Sequence, residues 1–169
     1  MSAPGSENDP LVHVALGSNL GDRIEHIRMG SREIAALPGV RDLRLSSIYE
    51  TEPMGPQDQP DYLNAVCSFR YGNSARVLLS SLQHIERLHG RVSTTARWTA
   101  RPLDLDIVLF GDKQIDEPDL VIPHMGVAER SFVLWPLIEL DAEIEVPGLG
   151  PAKSLLSGCQ QFGISVHSE

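Results

Sequence analysis

The chain has 169 residues, 41% of them hydrophobic, with 14 glycines and 12 prolines, which suits one ordinary globular domain with a core large enough to need neither disulfides nor a structural metal. Its 14 basic against 23 acidic residues leave a formal charge of −9, which argues against non-specific binding to DNA, RNA or anionic lipid, all polyanions themselves. Cys67 and Cys159 are the only cysteines, and one pair is neither a disulfide framework nor a zinc-ligand spacing, so both read as reduced thiols of a cytoplasmic protein.

Residues 1–10 lack the basic and apolar regions of a signal peptide, and no later stretch reaches the run of about 18 apolar residues that spans a bilayer. The expectation is a protein neither exported nor membrane-bound, with disordered tails over 1–10 and around His167-Ser168-Glu169, and a single domain over 11–165. Leu11 to Leu16 is a short apolar run that stops at Gly17-Ser18-Asn19-Leu20-Gly21, predicting a buried strand that enters a turn. Asp22 stands three residues before Glu25, a capping-box spacing. Ile24, Ile27, Ile34 and Leu37 then recur at helical intervals up to Pro38-Gly39, predicting a helix over 23–37. Val40 to Tyr49 reads as one strand, and Tyr62 to Tyr71 as another, with Leu63, Ala65, Cys67, Phe69 and Tyr71 on one face. The intervening segment 51–60 carries three prolines and a glycine and predicts a long, stiff loop.

Ser74 is placed to cap a second helix whose apolar face is Val77, Leu78, Leu82, Ile85 and Leu88, ending at His89-Gly90. Leu103 to Phe110 alternates apolar and polar positions and stops at Gly111, predicting a fourth strand. The order βαββαβ is the ferredoxin-like arrangement of an α+β sandwich, followed by a C-terminal extension. In that extension Arg130 to Leu140 predicts a short helix interrupted by Pro136, and residues 147–151 a loop.

The chemistry concentrates near the fourth strand. Asp104 and Asp106 are two residues apart, so in a strand both carboxylates leave the same face with Cα atoms about 7 Å apart. Like charges at that spacing are tolerated where the face is wet or where a cation bridges them, and hard oxygen ligands in that number suit Mg²⁺. Just upstream, the stretch 87–103 contains no acidic residue but has Arg87, Arg91, Arg97 and Arg101. Arginines grip phosphate oxygens in pairs, so the patch reads as a triphosphate site, or else as a basic loop neutralising an acidic surface. Trp98 in the same stretch either covers a planar ligand or anchors the loop. The segment 17–21 has neither P-loop nor dinucleotide-fold ending and reads as turn chemistry. Gln83 and Glu86 share a face of the second helix, and His124 is a lone histidine, so solvated surface and a local hydrogen bond are the plain readings of these three.

Taken together, Ala15 to Gly21, Gly55 to Ala65, Gly90-Arg91, Arg97-Trp98, Leu103 to Ile107, Pro123-His124 and Arg130-Ser131-Phe132 resemble 6-hydroxymethyl-7,8-dihydropterin pyrophosphokinase of folate biosynthesis. The resemblance implies transfer of the diphosphate of ATP to the pterin hydroxymethyl oxygen, with release of AMP, by a chain expected to be a monomer with small-molecule substrates. It implies that Asp104 and Asp106 hold two Mg²⁺ ions, Asp104 also touching the pterin, and that Arg91 and Arg101 bind and stabilise the triphosphate. Gln83, Glu86, Trp98, Ile107, His124 and Arg130 match nucleotide-site positions. Thr51, Pro53, Met54, Tyr62, Asn64 and Phe132 match the pterin pocket, where Tyr62 and Phe132 would sandwich the ring and Asn64 would read its amide edge. Three features depart from the family pattern: Ser93 where many members have arginine, Thr99-Ala100 in place of Gly-Pro, and Met125 after His124.

Overall fold

The computed structural model describes residues 7–52, 61–90, 102–159 and 164–167. Five strands and two helices make the frame: β1 (Leu11–Ser18), α1 (Arg23–Ala35), β2 (Val40–Leu45), β3 (Tyr49–Thr51), β4 (Tyr62–Tyr71), α2 (Ala75–Leu88) and β5 (Asp104–Phe110). This is the expected βαββαβ order, with the second strand divided in two. β4 pairs antiparallel with β1 along one side and with β2 and β3 in succession along the other, and β1 carries β5 on its far edge. The division has a local cause. Asp42 takes a left-handed φ of 56° where the β2 register slips between Arg41 and Arg44. Ser46 then leaves the ladder, though its amide still donates to Val66 O and its hydroxyl accepts from Val66 N–H.

Both main helices start as their caps predict. Asp22 Oδ1 accepts from Glu25 N–H at 3.2 Å, and Ser74 Oγ accepts from Val77 N–H at 3.2 Å. Helix α2 buries Ala75, Leu78, Leu82, Ile85 and Glu86. Val77 and Leu88, expected on the apolar face, are 48% and 64% exposed, because the buried stripe is narrower than the run of apolar letters. The helices cover one face of the sheet, where Val12, Val14, Leu16, Leu63, Ala65, Cys67, Phe69, Leu105 and Ile107 form the larger core with Ile27, Ile34 and the α2 stripe. Each large aliphatic side chain withdrawn from water there contributes about 1.5–3 kcal/mol. Gly30 matters at this layer: a Cβ on it would come within 3.0 Å of Leu103 Cδ2, so the bare backbone lets α1 close onto the entry to β5.

The alternation expected through Phe110 breaks once. His13 faces Leu109 and Val14 faces Ile107, so Val108 is an extra residue in β5, a bulge that turns Leu109 onto the opposite face. There it joins Val66 and Val108 in a second core closed by α3 (Ser131–Leu140), a 3₁₀ turn over Val127–Glu129, and α4 (Ala152–Ser157). Pro136 does not interrupt α3, which runs unbroken across it. The bond lost with its missing N–H is outweighed by the burial of Val133, Leu134, Pro136 and Leu137.

The extension holds more structure than its sequence advertises. It forms two small hairpins, β6 (Ile115–Glu117) with β7 (Leu120–Ile122) and β8 (Glu145–Val146) with β9 (Gly150–Pro151), the turn and second strand of the latter falling in the expected loop. Some residues of the expected tails are held against the sheet. Pro10 O accepts from Tyr71 N–H and Asp9 O from Arg70, while β10 (Ser165–Val166) pairs with β3 and His167 N–H donates to Ile48 O.

Candidate active site

The register of the sheet assembles the site. Asn64 on β4 lies opposite Gly17 on β1, which lies opposite Asp104 on β5, and one step along the same face Val66, Ala15 and Asp106 form the next row. Asp104 and Asp106 therefore leave one face of β5, as their spacing predicts, while Leu105 and Ile107 go into the core under α1 and α2. Both carboxylates are partly exposed. Gly17 belongs to β1 and not to the turn expected of it, and a Cβ there would meet nothing nearer than Asn64 Oδ1 at 3.4 Å and Tyr62 Cδ1 at 3.7 Å. The result is a shallow floor with an amide on one side and a carboxylate on the other.

Asn64 is 7% exposed and Thr51 2%. The Asn64 Nδ2 donates to Thr51 Oγ1 at 2.7 Å, which sets the amide so that its oxygen points toward Gly17. Tyr62 and Phe132 are half-buried. Arg130 lays its guanidinium over the Phe132 ring, 5.9 Å from the centroid. That pose depends on Gly126, where a Cβ would come within 2.8 Å of Arg130 Nε.

His124 stands across from the carboxylate pair, its Nε2 4.0 Å from Asp106 Oδ2. Its Nδ1 accepts from the Gly126 N–H at 3.0 Å, so the neutral ring carries its hydrogen on Nε2, the nitrogen that faces the acids. Burial, reinforced by Arg130 and opposed by Asp104, holds this imidazole below the ordinary histidine range. It is therefore a neutral donor at physiological pH. The local hydrogen bond that sequence alone suggests for a lone histidine is present, and it also aims the other nitrogen.

Glu86 is a buried residue, 6% exposed, and not solvated helix surface. Its Oε2 accepts from Leu105 N–H at 2.8 Å, so α2 grips β5 by the peptide between the two aspartates. Gln83, three residues earlier on the same face of the helix, is exposed, so that face passes from solvent at Gln83 into the protein at Glu86. Ile107 is 5% exposed with its side chain in the core, which leaves its main chain as what it presents elsewhere. Arg91, Trp98, Arg101, Pro53 and Met54 lie outside the described residues. Neither the role of Gly17 as floor nor that of Gly126 was read from sequence: a glycine's function is set by the neighbour that fills its missing side chain. A separate cavity of about 390 Å³, lined by Asn19, Leu20, Gly21, Arg23, Glu50 and Asp61, holds none of the expected site residues.

Residues 13–142 match the model of the 7,8-dihydro-6-hydroxymethylpterin-pyrophosphokinase (HPPK) family. The chain belongs to the HPPK family. It is 40% identical over 153 residues to the 2-amino-4-hydroxy-6-hydroxymethyldihydropteridine pyrophosphokinase of Pseudomonas aeruginosa, covering 90% of this chain and 94% of that one. It is 42% identical over 136 residues to the enzyme of the same name from Haemophilus influenzae, covering 80% and 84%. It is also 37% identical over 164 residues to the folic acid synthesis protein fol1 of Schizosaccharomyces pombe, of which it spans 22%. In three dimensions it is similar to the crystal structure of wild-type Plasmodium falciparum HPPK-DHPS with pteroate, with a TM-score of 0.67 at 15% identity, over 90% of this chain and 43% of that one. That likeness bears on the fold and agrees with the ferredoxin-like α+β sandwich expected of an HPPK. Among the described residues no helix is long and apolar enough to cross a membrane.

Proposed function

We propose that this HPPK-family chain transfers the diphosphate of ATP to the hydroxymethyl oxygen of 6-hydroxymethyl-7,8-dihydropterin. The pterin oxygen forms a bond to the β-phosphorus, the bond from that phosphorus to the bridging α,β-oxygen breaks, AMP leaves, and the hydroxyl proton is released. The observation that carries the reading is the carboxylate pair of Asp104 and Asp106 on an open sheet face, in one row with Gly17 and Asn64. The names of the relatives from Pseudomonas aeruginosa and Haemophilus influenzae agree with it.

The pterin is assigned to the Gly17 floor. Asn64, oriented by Thr51, offers an oxygen and its second N–H to the amide edge of the heterocycle, and a flat ring suits a backbone surface with no side chain. Tyr62 and Phe132 are assigned to the ring faces, with Pro53 and Met54 completing the pocket. Asp104 and Asp106 fit the hard-oxygen donor set of Mg²⁺, since they are paired, partly exposed carboxylates on one strand; bound there, two such ions would neutralise phosphate oxygens and favour the leaving AMP. Phosphoryl transfer asks the protein mainly for positioning and charge neutralisation. His124 serves as a neutral Nε2–H donor toward a phosphate oxygen, Arg130 as a cation held in place by Phe132 and Gly126, and Glu86 as the clamp on the strand bearing the acids. Arg91 and Arg101 are assigned to the triphosphate, and Gln83, Trp98 and Ile107 to the nucleoside. Unpaired Cys67 and Cys159 support a cytoplasmic setting.

The test is to mix the protein with ATP, Mg²⁺ and the hydroxymethyl-dihydropterin and to quantify AMP and pterin diphosphate. AMP in step with pterin diphosphate is expected. Nucleotide binding without AMP would replace the reading with a non-catalytic nucleotide-sensing domain.

A further inference from the structure

Away from the proposed reaction, two imidazoles meet between α1 and α2. His26 on α1 and His89, which ends α2, bring their Nδ1 atoms to 2.7 Å, and His89 Nε2 lies 2.6 Å from Glu33 Oε1 on α1. The His89 side chain is 8% exposed. A carboxylate can only accept, so His89 Nε2 carries a hydrogen. Two nitrogens at 2.7 Å share a single hydrogen: two would collide, and none would oppose two lone pairs. In the neutral pair His26 Nδ1–H therefore donates to His89 Nδ1, and His89 Nε2–H donates to Glu33.

This count sets a limit. One added proton fits, because it enters at His26 Nε2, packed beside Gly21 in the β1–α1 turn, and the shared hydrogen stays in place. A second added proton would need a hydrogen on both Nδ1 atoms and must part the rings. We propose that His26, His89 and Glu33 form a proton-limited clasp between α1 and α2, one that survives its first protonation and opens on its second. The surroundings fit. Burial and the neighbouring His89 push His26 down, while Asp22 at the N-cap of α1 and Glu25 in its first turn push it up, and the net direction is below the ordinary value. Glu33 faces His89 from α1, and Arg87 adds a cation on the last turn of α2. Opening has a place to act. His89 N–H closes onto Ile85 O and Glu86 O, and Gly90 N–H onto Arg87 O, so the clasp secures the turn that carries Glu86 and its hold on Leu105.

The full-length protein labelled with ¹⁵N-histidine tests this by long-range nitrogen–proton correlation from pH 8 to 4.5. Hydrogens are expected on His26 Nδ1 and His89 Nε2 at high pH, with the pair taking up protons in two steps separated by more than one pH unit. Independent titration of the two rings at ordinary histidine values would overturn the proposal. Hydrogen exchange at the His89 and Gly90 amides, taken as a ratio to β4 amides, supplies a second readout. As the pH falls toward the second step the ratio should rise about tenfold per pH unit and level off below it, and His26→Gln, which keeps a hydrogen-bonding group but cannot charge, should abolish that rise. Global acid unfolding would move both sets of amides together and leave the ratio flat. A flat ratio in the parent protein, or the same rise in His26→Gln, refutes the clasp.

Discussion

His13 should make this protein acid-sensitive by an amount that can be worked out in advance. It lies in β1, 3% exposed, and its Nδ1 is buried without a hydrogen-bond partner among the described residues. Burial pushes its pKa down from 6.5 to about 4, only partly offset by Asp141. The unfolded chain therefore binds a proton near pH 6.5 that the folded chain refuses until about pH 4. A group depressed in this way costs nothing above pH 6.5 and draws stability away as pH falls through that window. A gap of about two and a half pH units corresponds to about 3 kcal/mol at pH 4, a large part of the 5–15 kcal/mol that is typical of a domain. The assay is urea unfolding of the parent and His13→Leu at several pH values between 7.5 and 4. His13→Leu keeps a comparable volume, fills the same apolar layer and cannot titrate. The two proteins should be close at pH 7.5, and the variant should gain progressively, by about 3 kcal/mol, toward pH 4. Carboxylate titrations are common to both and cancel in the difference. A difference that stays constant across the range would show that His13 is protonated in the folded state, contradicting the burial argument.

Asp104→Ala or Asp106→Ala should abolish AMP formation while the thermal midpoint holds or rises slightly, because each removes one of two neighbouring like charges; AMP release and a melting curve on the same sample check this. Asn64→Ala should weaken pterin binding far more than ATP binding, since it strips the ligand's amide edge of its partners. Calorimetric titration with each ligand decides it, and equal losses would make Asn64 structural. Glu86→Ala leaves Leu105 N–H buried without that acceptor, for a stability loss of about 1.5–3 kcal/mol by urea unfolding and a fall in turnover. Glu86→Gln, which keeps an acceptor oxygen, should recover most of both.

The frame of this fold was legible because it rests on local, periodic signals. Asp22 and Ser74 cap helices with their own neighbours' amides, and Leu63, Ala65, Cys67, Phe69 and Tyr71 point one way because strand geometry leaves no other choice. The same geometry put Asp104 and Asp106 on one face before any partner strand was known. What the sequence did not contain were effects that depend on a distant residue. Val40 to Thr51 became two strands because of a left-handed Asp42 and Ser46 pairing with Val66; β5 bulged at Val108 to match β1; and Pro136 stayed helical because its neighbours had a second core to enter. The site divides along the same line. Residue types and spacing marked the acids, the amide and the histidine, since their chemistry is carried by the side chain itself. The burial of Glu86 against Leu105, the floor made by Gly17 beside Asn64 and the shared hydrogen of His26 and His89 are each properties of two residues far apart in the chain. Only the tertiary structure brings such pairs within the few ångströms over which hydrogen bonds and packing act.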